Sequence, residues 1–524
     1  MNFANCTTQA IDWTNEHGTF MRSGVERYLP VASTSRELID QWRRVGSVLQ
    51  DIVGYAFANR LPLRPDGSRW SLSNIAQPER LAVSLAAHDV AEEIPLGWRS
   101  PAYAASLAAS GLTPMLVSGS MKIQRLNRTL ALRNLALQTS GASDGQTLAG
   151  ACATGTHGAA LRLGAFHDTF RALHFMVGPQ AAVLVQPTSG PLTAQAAADL
   201  TNWLGFPTTL RSDDTLFAAA QVHLGSLGIL LNAVVETRPL YFWTEVTSAH
   251  SDDAWRRVLA EQSPASVAGH SPTPNYLQVV LNPYQTYPAG SKNAWVISMT
   301  DAPFTNQTDV DTRVEAAFTP NPDLLSLLST LEDTDDLDLT DLPIRMKLTS
   351  ELIDRYGDGI RTRRALPGVI FGPSGLPRGR GASVEFVVDG GQAEPAASLL
   401  LEALAAEYAD GRQFMGAIGI RFVKGSSALL APNARPMSCF LELPGIRTDE
   451  VPRIYDTCGN ALARHGVAFG CHWGQYLVEM PERLTTWWGD DRARLWRDAR
   501  AQLLQDATAR LVFKSPVLDA AGLG

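Results

Sequence analysis

The sequence predicts a mixed fold, α/β or α+β, spread over more than one domain. Length is the first reason: 524 residues is about three domains' worth at roughly 150 residues each. The second lies between about 140 and 240, where glycines alternate with short β-rich runs at 173–177, 182–185 and 229–235. The third is a strand, helix and strand read at 383–388, 395–408 and 417–424, an α/β element of a further domain. Hydrophobic residues at 45% argue against long disorder, and a net charge of −8 argues against a nucleic-acid partner, because a phosphate backbone demands a positive field.

Taken in order, residues 34–49 open with Thr34 three before Glu37, the pattern of a capping box, and place Leu38, Trp42, Val45 and Leu49 on one helical face. Residues 61–65, Leu-Pro-Leu-Arg-Pro, read as an extended segment, since proline fixes φ and pushes its predecessor out of the α region. A turn follows at 66–73. Ser100 and Pro101 then open a second helix that Gly111 closes. Beyond about 240, Pro, Asn and Ser punctuate the chain. The acidic run from Glu332 to Asp338 lacks the glycine and the terminal glutamate of an EF-hand and reads as a solvated loop.

Cys6, Cys152, Cys439, Cys458 and Cys471 are odd in number, widely spread and without CxxC spacing, which weighs against a disulfide framework or a zinc knuckle. Residues 1–13 are polar where a signal peptide needs its apolar segment, and no apolar run approaches the ~20 residues of a membrane span. The expectation is a cytoplasmic protein with no membrane span.

The richest stretch is 140–158, with five glycines and several small hydroxyl residues in nineteen positions. Such a chain lets backbone N–H groups approach a ligand closely; its plain alternative is a buried Gly-rich turn. It is neither a P-loop nor a GxGxxG fingerprint. The segment GASDGQTLAGACATGTHGAALRLG resembles the TxAGAxATGTHGSG signature of flavoproteins of the vanillyl-alcohol oxidase / p-cresol methylhydroxylase superfamily, in its aldonolactone and alditol oxidase branch. Three further matches keep the order of that family. LRPDGSRWSLS at 63–73 is similar to its pyrophosphate loop, DDTLFAAAQVHLGSLGIL at 213–230 to its DLFxAARVSLGALGVV segment, and HWGQ at 472–475 to its HWGK.

The resemblance implies an α+β fold: an FAD-binding PCMH-type domain of two α+β subdomains at 1–238, a cap of antiparallel sheet and helices at 239–468, and a return segment at 469–524 that completes the FAD domain. It implies that Gly67, Ser68, Arg69, Trp70 and Ser71 cradle the pyrophosphate of FAD, where turn N–H groups concentrate positive charge. Thr147, Gly150, Thr154, Gly155 and His157 would line the flavin side, with Gly225, Gly228 and Ile229 near the adenine.

Two departures from the family pattern bear on chemistry. Trp70 stands where covalently flavinylated members carry a histidine, so noncovalent FAD is expected, with His157 a structural hydrogen-bonder and Cys152 a buried inert thiol. The Glu-x-Arg triplet of related oxidases is Gly419-Ile420-Arg421, and the lysine of HWGK is Gln475. Arg421 therefore needs a new partner, with Glu442, Glu385 or an anionic group on the substrate the candidates and a pairing on the cap surface the plain alternative, and the loss of two charged groups points to a substrate less polar than an alditol. His472 is expected as base or orienter. The activity implied is an FAD-dependent oxidase moving hydride from a small-molecule C–OH or C–NH carbon to flavin and on to dioxygen. The alternatives are a dehydrogenase with a quinone or protein acceptor, and a redox-silent binding protein on the same scaffold.

Overall fold

Period-two runs bounded by Gly, Pro and Asn build the N-terminal sheet. Strands β1 (Cys6–Thr14) and β2 (Met21–Pro30) form a hairpin, and β2 then pairs in parallel with β4 (Leu81–Val83), which pairs in parallel with β3 (Leu63–Pro65). The computed structural model describes residues 3–35, 37–251, 253–284, 292–305, 344–367, 381–478 and 480–524; the acidic run from Glu332 to Asp338 lies outside the described residues. Between β2 and β3 runs the expected amphipathic helix, longer than its sequence pattern predicts, over Leu38–Ala58. Trp42, Val45, Leu49, Ile52 and Val53 are buried along it. The expected capping box does not form: Ser35 Oγ, not Thr34, accepts the Glu37 N–H at 3.1 Å, and the helix begins at Leu38.

A second sheet contains β5 (Ala91–Glu93), β6 (Thr113–Ser118), β7 (Leu135–Leu137), β8 (Phe170–Gly178), β9 (Ala181–Gln186), β10 (Thr208–Ser212) and β11 (Ile229–Pro239). Its order is β10-β9-β8-β11-β6-β5, with β7 also on β11. The expected runs at 173–177, 182–185 and 229–235 are the centres of β8, β9 and β11. The helix Pro101–Ser110 starts and stops as the sequence predicts: Ser100 Oγ accepts the Tyr103 N–H, and Gly111 caps the other end at φ 69°.

The third sheet is antiparallel in every described pairing and runs β15-β12-β14-β13-β17-β18-β16-β19. Its strands are β12 (Tyr241–His250), β13 (Tyr276–Leu281), β14 (Ala294–Pro303), β15 (Ile360–Ala365), β16 (Gly381–Asp389), β17 (Ile418–Lys424), β18 (Met437–Ile446) and β19 (Phe469–Cys471). The predicted strand, helix and strand are β16, the helix Ala393–Ala409 and β17. The two strands do not touch, because β18 inserts between them and pairs antiparallel with both.

After β19 the chain crosses back to the helix Asp214–Gln221 and the turn that follows it, ahead of β11. The helix Asp490–Leu503 places Trp496 Nε1 on the Val222 carbonyl at 3.2 Å and Arg500 Nε on the Ser226 carbonyl at 3.0 Å. No described helix is long and apolar enough to cross a membrane. The fold so described is of the mixed α+β class.

Candidate functional site

A cleft lined by residues of all three sheets contains in its wall nearly all the residues singled out from sequence. One end is backbone. The turn after β3 begins where the Asp66 N–H meets the Val83 carbonyl at 2.7 Å. From there the carbonyls of the loop face protein donors. Arg69 O takes the Glu16 N–H at 3.0 Å, Ser71 O takes Asn15 Nδ2 at 2.9 Å, and Trp70 O lies 3.0 Å from His17 Nε2. The N–H groups of Gly67, Ser68, Arg69, Trp70 and Ser71 have no acceptor among the described residues. Gly67 is exposed and Ser68 to Ser71 are half-buried, so five successive donors stand open to an acceptor from outside the protein. The buried Ser68 Oγ is likewise unsatisfied.

The other motifs converge on this loop. A Cβ at Gly67 would lie 2.6 Å from Thr147 Oγ1, and one at Gly145 would strike the Trp70 ring at 2.2 Å. Only glycine lets these two bends meet. Thr147 caps the helix Leu148–Thr154 by accepting the Gly150 N–H at 3.2 Å. Buried Arg64, within the first motif, hydrogen-bonds the carbonyls of Ile75, Leu224 and Gly225, tying the first motif to the 213–230 segment. HWGQ backs the same loop: Leu72 N–H donates to Gly474 O and Ser73 Oγ to Trp473 O, both at 2.7 Å. Gly225, Gly228 and Ile229 complete this end of the wall.

The expected place of Gly155 is corrected. It does not line the cleft; it ends the helix Leu148–Thr154 in the left-handed region at φ 75°, and its missing Cβ clears Pro432 Cδ, which would be 2.5 Å away. Cys152 is buried as expected, with Sγ on the Gln221 carbonyl and its thiol pushed up by burial.

The other end is a row of side chains on adjacent strands β13, β17, β18 and β16. Register sets Gln278 opposite Arg421, Gly419 opposite Glu442, and Glu442 opposite Glu385. Arg421 Nε donates to Gln278 Oε1 at 3.3 Å, Nη1 lies 3.3 Å from Glu385 Oε1, and Nη2 lies 2.6 Å from Glu442 Oε2. Both candidate carboxylates thus partner the arginine. Glu442 Oε1 accepts from Gln475 Nε2 at 3.0 Å and from Ser383 Oγ at 3.2 Å. Burial alone would raise the Glu385 carboxyl, but His157, His472 and Arg421 outweigh it and hold the group well below the usual range. Burial would lower Arg421, and the carboxylates of Glu442 and Glu385 reverse that.

Neither nearby histidine offers a lone pair to the cleft. His157 sets Nδ1 2.9 Å from Gly158 O and Nε2 3.1 Å from Glu385 Oε2, both acceptors, and stacks on Phe440 with centroids 3.5 Å apart. His472 accepts the Gly474 N–H at Nδ1, 3.1 Å away, so its remaining proton sits on Nε2. Burial lowers this ring to about 4. At neutral pH it is a donor and an orienter; the expected role of base is not supported by this tautomer. His157, Glu385 and His472 bring one ligand atom each within 4.8 Å of one another, with both His157 nitrogens and both Glu385 oxygens already in the contacts above.

The lining of this end is polar. Gln278, Ser383, Glu385, Arg421, Glu442 and Gln475 all line it, with Arg355 and Tyr356 arriving from the helix Ile344–Tyr356. Sequence reading missed Arg64, His17, Gln278, Ser383 and Tyr356. A signal existed for two of them, a polar residue inside an otherwise apolar strand, as in YLQVVL and GASVEFVVD.

No protein-family model matches the chain. A 133-residue stretch is 30% identical to D-arabinono-1,4-lactone oxidase of Yarrowia lipolytica (strain CLIB 122 / E 150), a match that takes in 25% of this chain and 21% of that protein. The chain therefore matches about a fifth of the length of this relative. The crystal structure of cholesterol oxidase from B. sterolicum superposes with a TM-score of 0.69 at 12% identity, covering 99% of this chain and 98% of that one. A solvent-stable cholesterol oxidase superposes with a TM-score of 0.67 at 14% identity, with the same coverage. At such identities the likeness is one of fold.

Proposed function

We propose that this chain, which has the FAD-binding PCMH-type fold of the vanillyl-alcohol oxidase superfamily, is an FAD-dependent oxidase of a hydroxylated or aminated small molecule. The observation that carries the reading is the run of five unpartnered N–H groups from Gly67 to Ser71, facing a cleft that three other ordered motifs help to close. Those donors, with Ser68 Oγ, would hold the pyrophosphate; Thr147, Gly150, Thr154 and His157 would stand along the flavin side, and Gly225, Gly228 and Ile229 toward the adenine. When bound, the flavin supplies two-electron chemistry, accepting hydride from the substrate carbon and passing electrons to dioxygen.

The remaining work falls to this chain. Arg421, its charge secured by Glu385 and Glu442, polarises the substrate oxygen or nitrogen at the end of the cleft. Gln278, Ser383 and Gln475 offer neutral hydrogen bonds that orient a substrate. His472 Nε2–H is a donor held in one orientation by Gly474. Noncovalent attachment is supported by Trp70, whose indole lies over Gly145, and by His157, whose two ring nitrogens are both engaged.

The proposed division is an FAD domain at 1–238, a cap at 239–468 and a return segment at 469–524. It is supported by the break between the second and third sheets at Pro239 and Tyr241 and by the packing of Asp490–Leu503 on the helix Asp214–Gln221 and the turn that leads into β11. A cytoplasmic location is supported by five free cysteines, and the lack of a nucleic-acid partner by the net charge of −8.

The purified protein is expected to be yellow, to release its flavin into acid, and to form peroxide in step with product when alcohols and amines that bleach it anaerobically are supplied. A colourless protein that takes up no added FAD sinks the reading, and flavin retained after acid precipitation sinks noncovalent attachment.

A further inference from the structure

We infer that Glu442 is a transposed carboxylate: a positioning residue that supplies from β18 the acidic partner of Arg421 that a Glu-x-Arg triplet would supply from position 419 of β17. The inference rests on the flavoprotein reading of the cleft.

Three observations carry it. Register sets Gly419 directly opposite Glu442, so the two positions share one face of the sheet and flank one guanidinium. Glu442 is fixed at both oxygens, Oε2 on Arg421 Nη2 at 2.6 Å and Oε1 on Gln475 and Ser383, so it is held rather than resting against the arginine. Lastly, neither the backbone nor packing requires glycine at 419. A Cβ there would find Arg421 Nη2 at 3.6 Å and Glu442 Cβ at 4.0 Å, ordinary contact, with nothing closer and no positive φ. Glycines nearby in the same sheet are different: a Cβ at Gly416 would reach the Pro444 carbonyl at 2.1 Å, and one at Gly445 the Met415 carbonyl at 2.7 Å.

Position 419 is therefore an open seat beside Arg421. The guanidinium keeps two carboxylate partners and its orientation, while the wall above Gly419 is left bare. The cleft gains the volume of one side chain next to the polarising group. A substrate with a substituent beside its reacting carbon fits there, where a side chain on 419 would exclude it.

The test compares FAD-loaded wild-type protein with Glu442→Gln, Gly419→Glu and the double variant. The readouts are the flavin midpoint potential from dye-coupled reductive titration and the thermal midpoint. Glu442→Gln removes a negative charge from the cleft and is expected to move the potential to more positive values and lower the thermal midpoint. The double variant is expected to return both toward wild type, because a carboxylate on 419 reaches the same guanidinium. A potential unmoved by Glu442→Gln, or a double variant that stays with the single one, overturns the inference. Should Glu442→Gln not fold, Gly419→Glu alone decides: the added carboxylate is expected to shift the potential to more negative values, and no shift overturns it. Wild-type protein that binds no FAD would instead overturn the parent reading.

Discussion

Arg64 shows how one side chain can tie together the backbone of the proposed FAD cleft. Its guanidinium is buried, lowered to about 10 by that burial, and spends its donors on the carbonyls of Ile75, Leu224 and Gly225. Truncation orphans those carbonyls at about 1–3 kcal/mol each and uncouples two of the four motifs. Arg64→Ala is expected to lose most of its flavin during purification, as measured by the ratio of visible to ultraviolet absorbance. Gly145→Ala tests the neighbouring contact. Its Cβ would meet the Trp70 ring at 2.2 Å, and overpacking of about 1–3 kcal/mol translates into about a tenfold or greater loss of FAD affinity by titration. A variant that binds FAD normally would show that Trp70 is free to move without disturbing the 67–71 bend.

At the scale of elements, local chemistry and tertiary contact can be separated. The helix Pro101–Ser110 is written in its own residues, with Ser100 as cap, Pro101 at the first position and Gly111 at the end. Gly111 has φ 69° and open space around its would-be Cβ, so Gly111→Ala is expected to cost about 1 kcal/mol through backbone strain alone, read as a lower thermal midpoint with unchanged flavin content. The helix Leu38–Ala58 is different. Its periodicity to Leu49 was visible in sequence, but its extension to Ala58 depends on the burial of Ile52, Val53 and Ala56 in a helix that packs chiefly on the helix Ala194–Leu204. Strands β12 and β14 were not legible at all. Consecutive residues are buried on both faces, Ala294 to Met299 in β14 and Tyr241 to Trp243 in β12, so no period-two alternation marks them, and each is a strand because partners lie on both sides.

Across the whole molecule, burial of ionisable groups sets the response to acid. His88 and His472 are lowered to about 4 and His174 and His223 to about 3, each chiefly by burial. An unfolded chain protonates these rings near 6.5, while the native protein resists until pH 4 or 3, so proton uptake favours unfolding throughout that window. Glu385 adds a second limb. Its native carboxyl is held below the usual 4.5, so its stabilisation is present above pH 4.5 and is lost as the pH falls further. Stability by denaturant titration followed on tryptophan fluorescence is expected to fall from pH 6.5 downward and to steepen below 4.5. A flat profile between pH 7 and 5 would contradict the burial of these rings.

The sequence by itself determined the mixed fold class and singled out the two glycine-and-hydroxyl bends that meet at one end of the cleft. A dinucleotide cradle is made of contiguous backbone, and the glycines and hydroxyls that let N–H groups approach a ligand must stand side by side in the chain, as they do at 63–73 and 140–158. The resemblance to the flavoprotein family implied a carboxylate missing at 419, and the sequence offered Glu385 and Glu442 as candidate partners of Arg421. Only the tertiary structure decided that both serve, that His472 presents a donor, that Gly155 packs on Pro432, and that Gln278 and Ser383 join the row. The substrate end is assembled across four strands whose residues lie between 276 and 446 in the chain. Their meeting is a matter of sheet order and register, which no local pattern records.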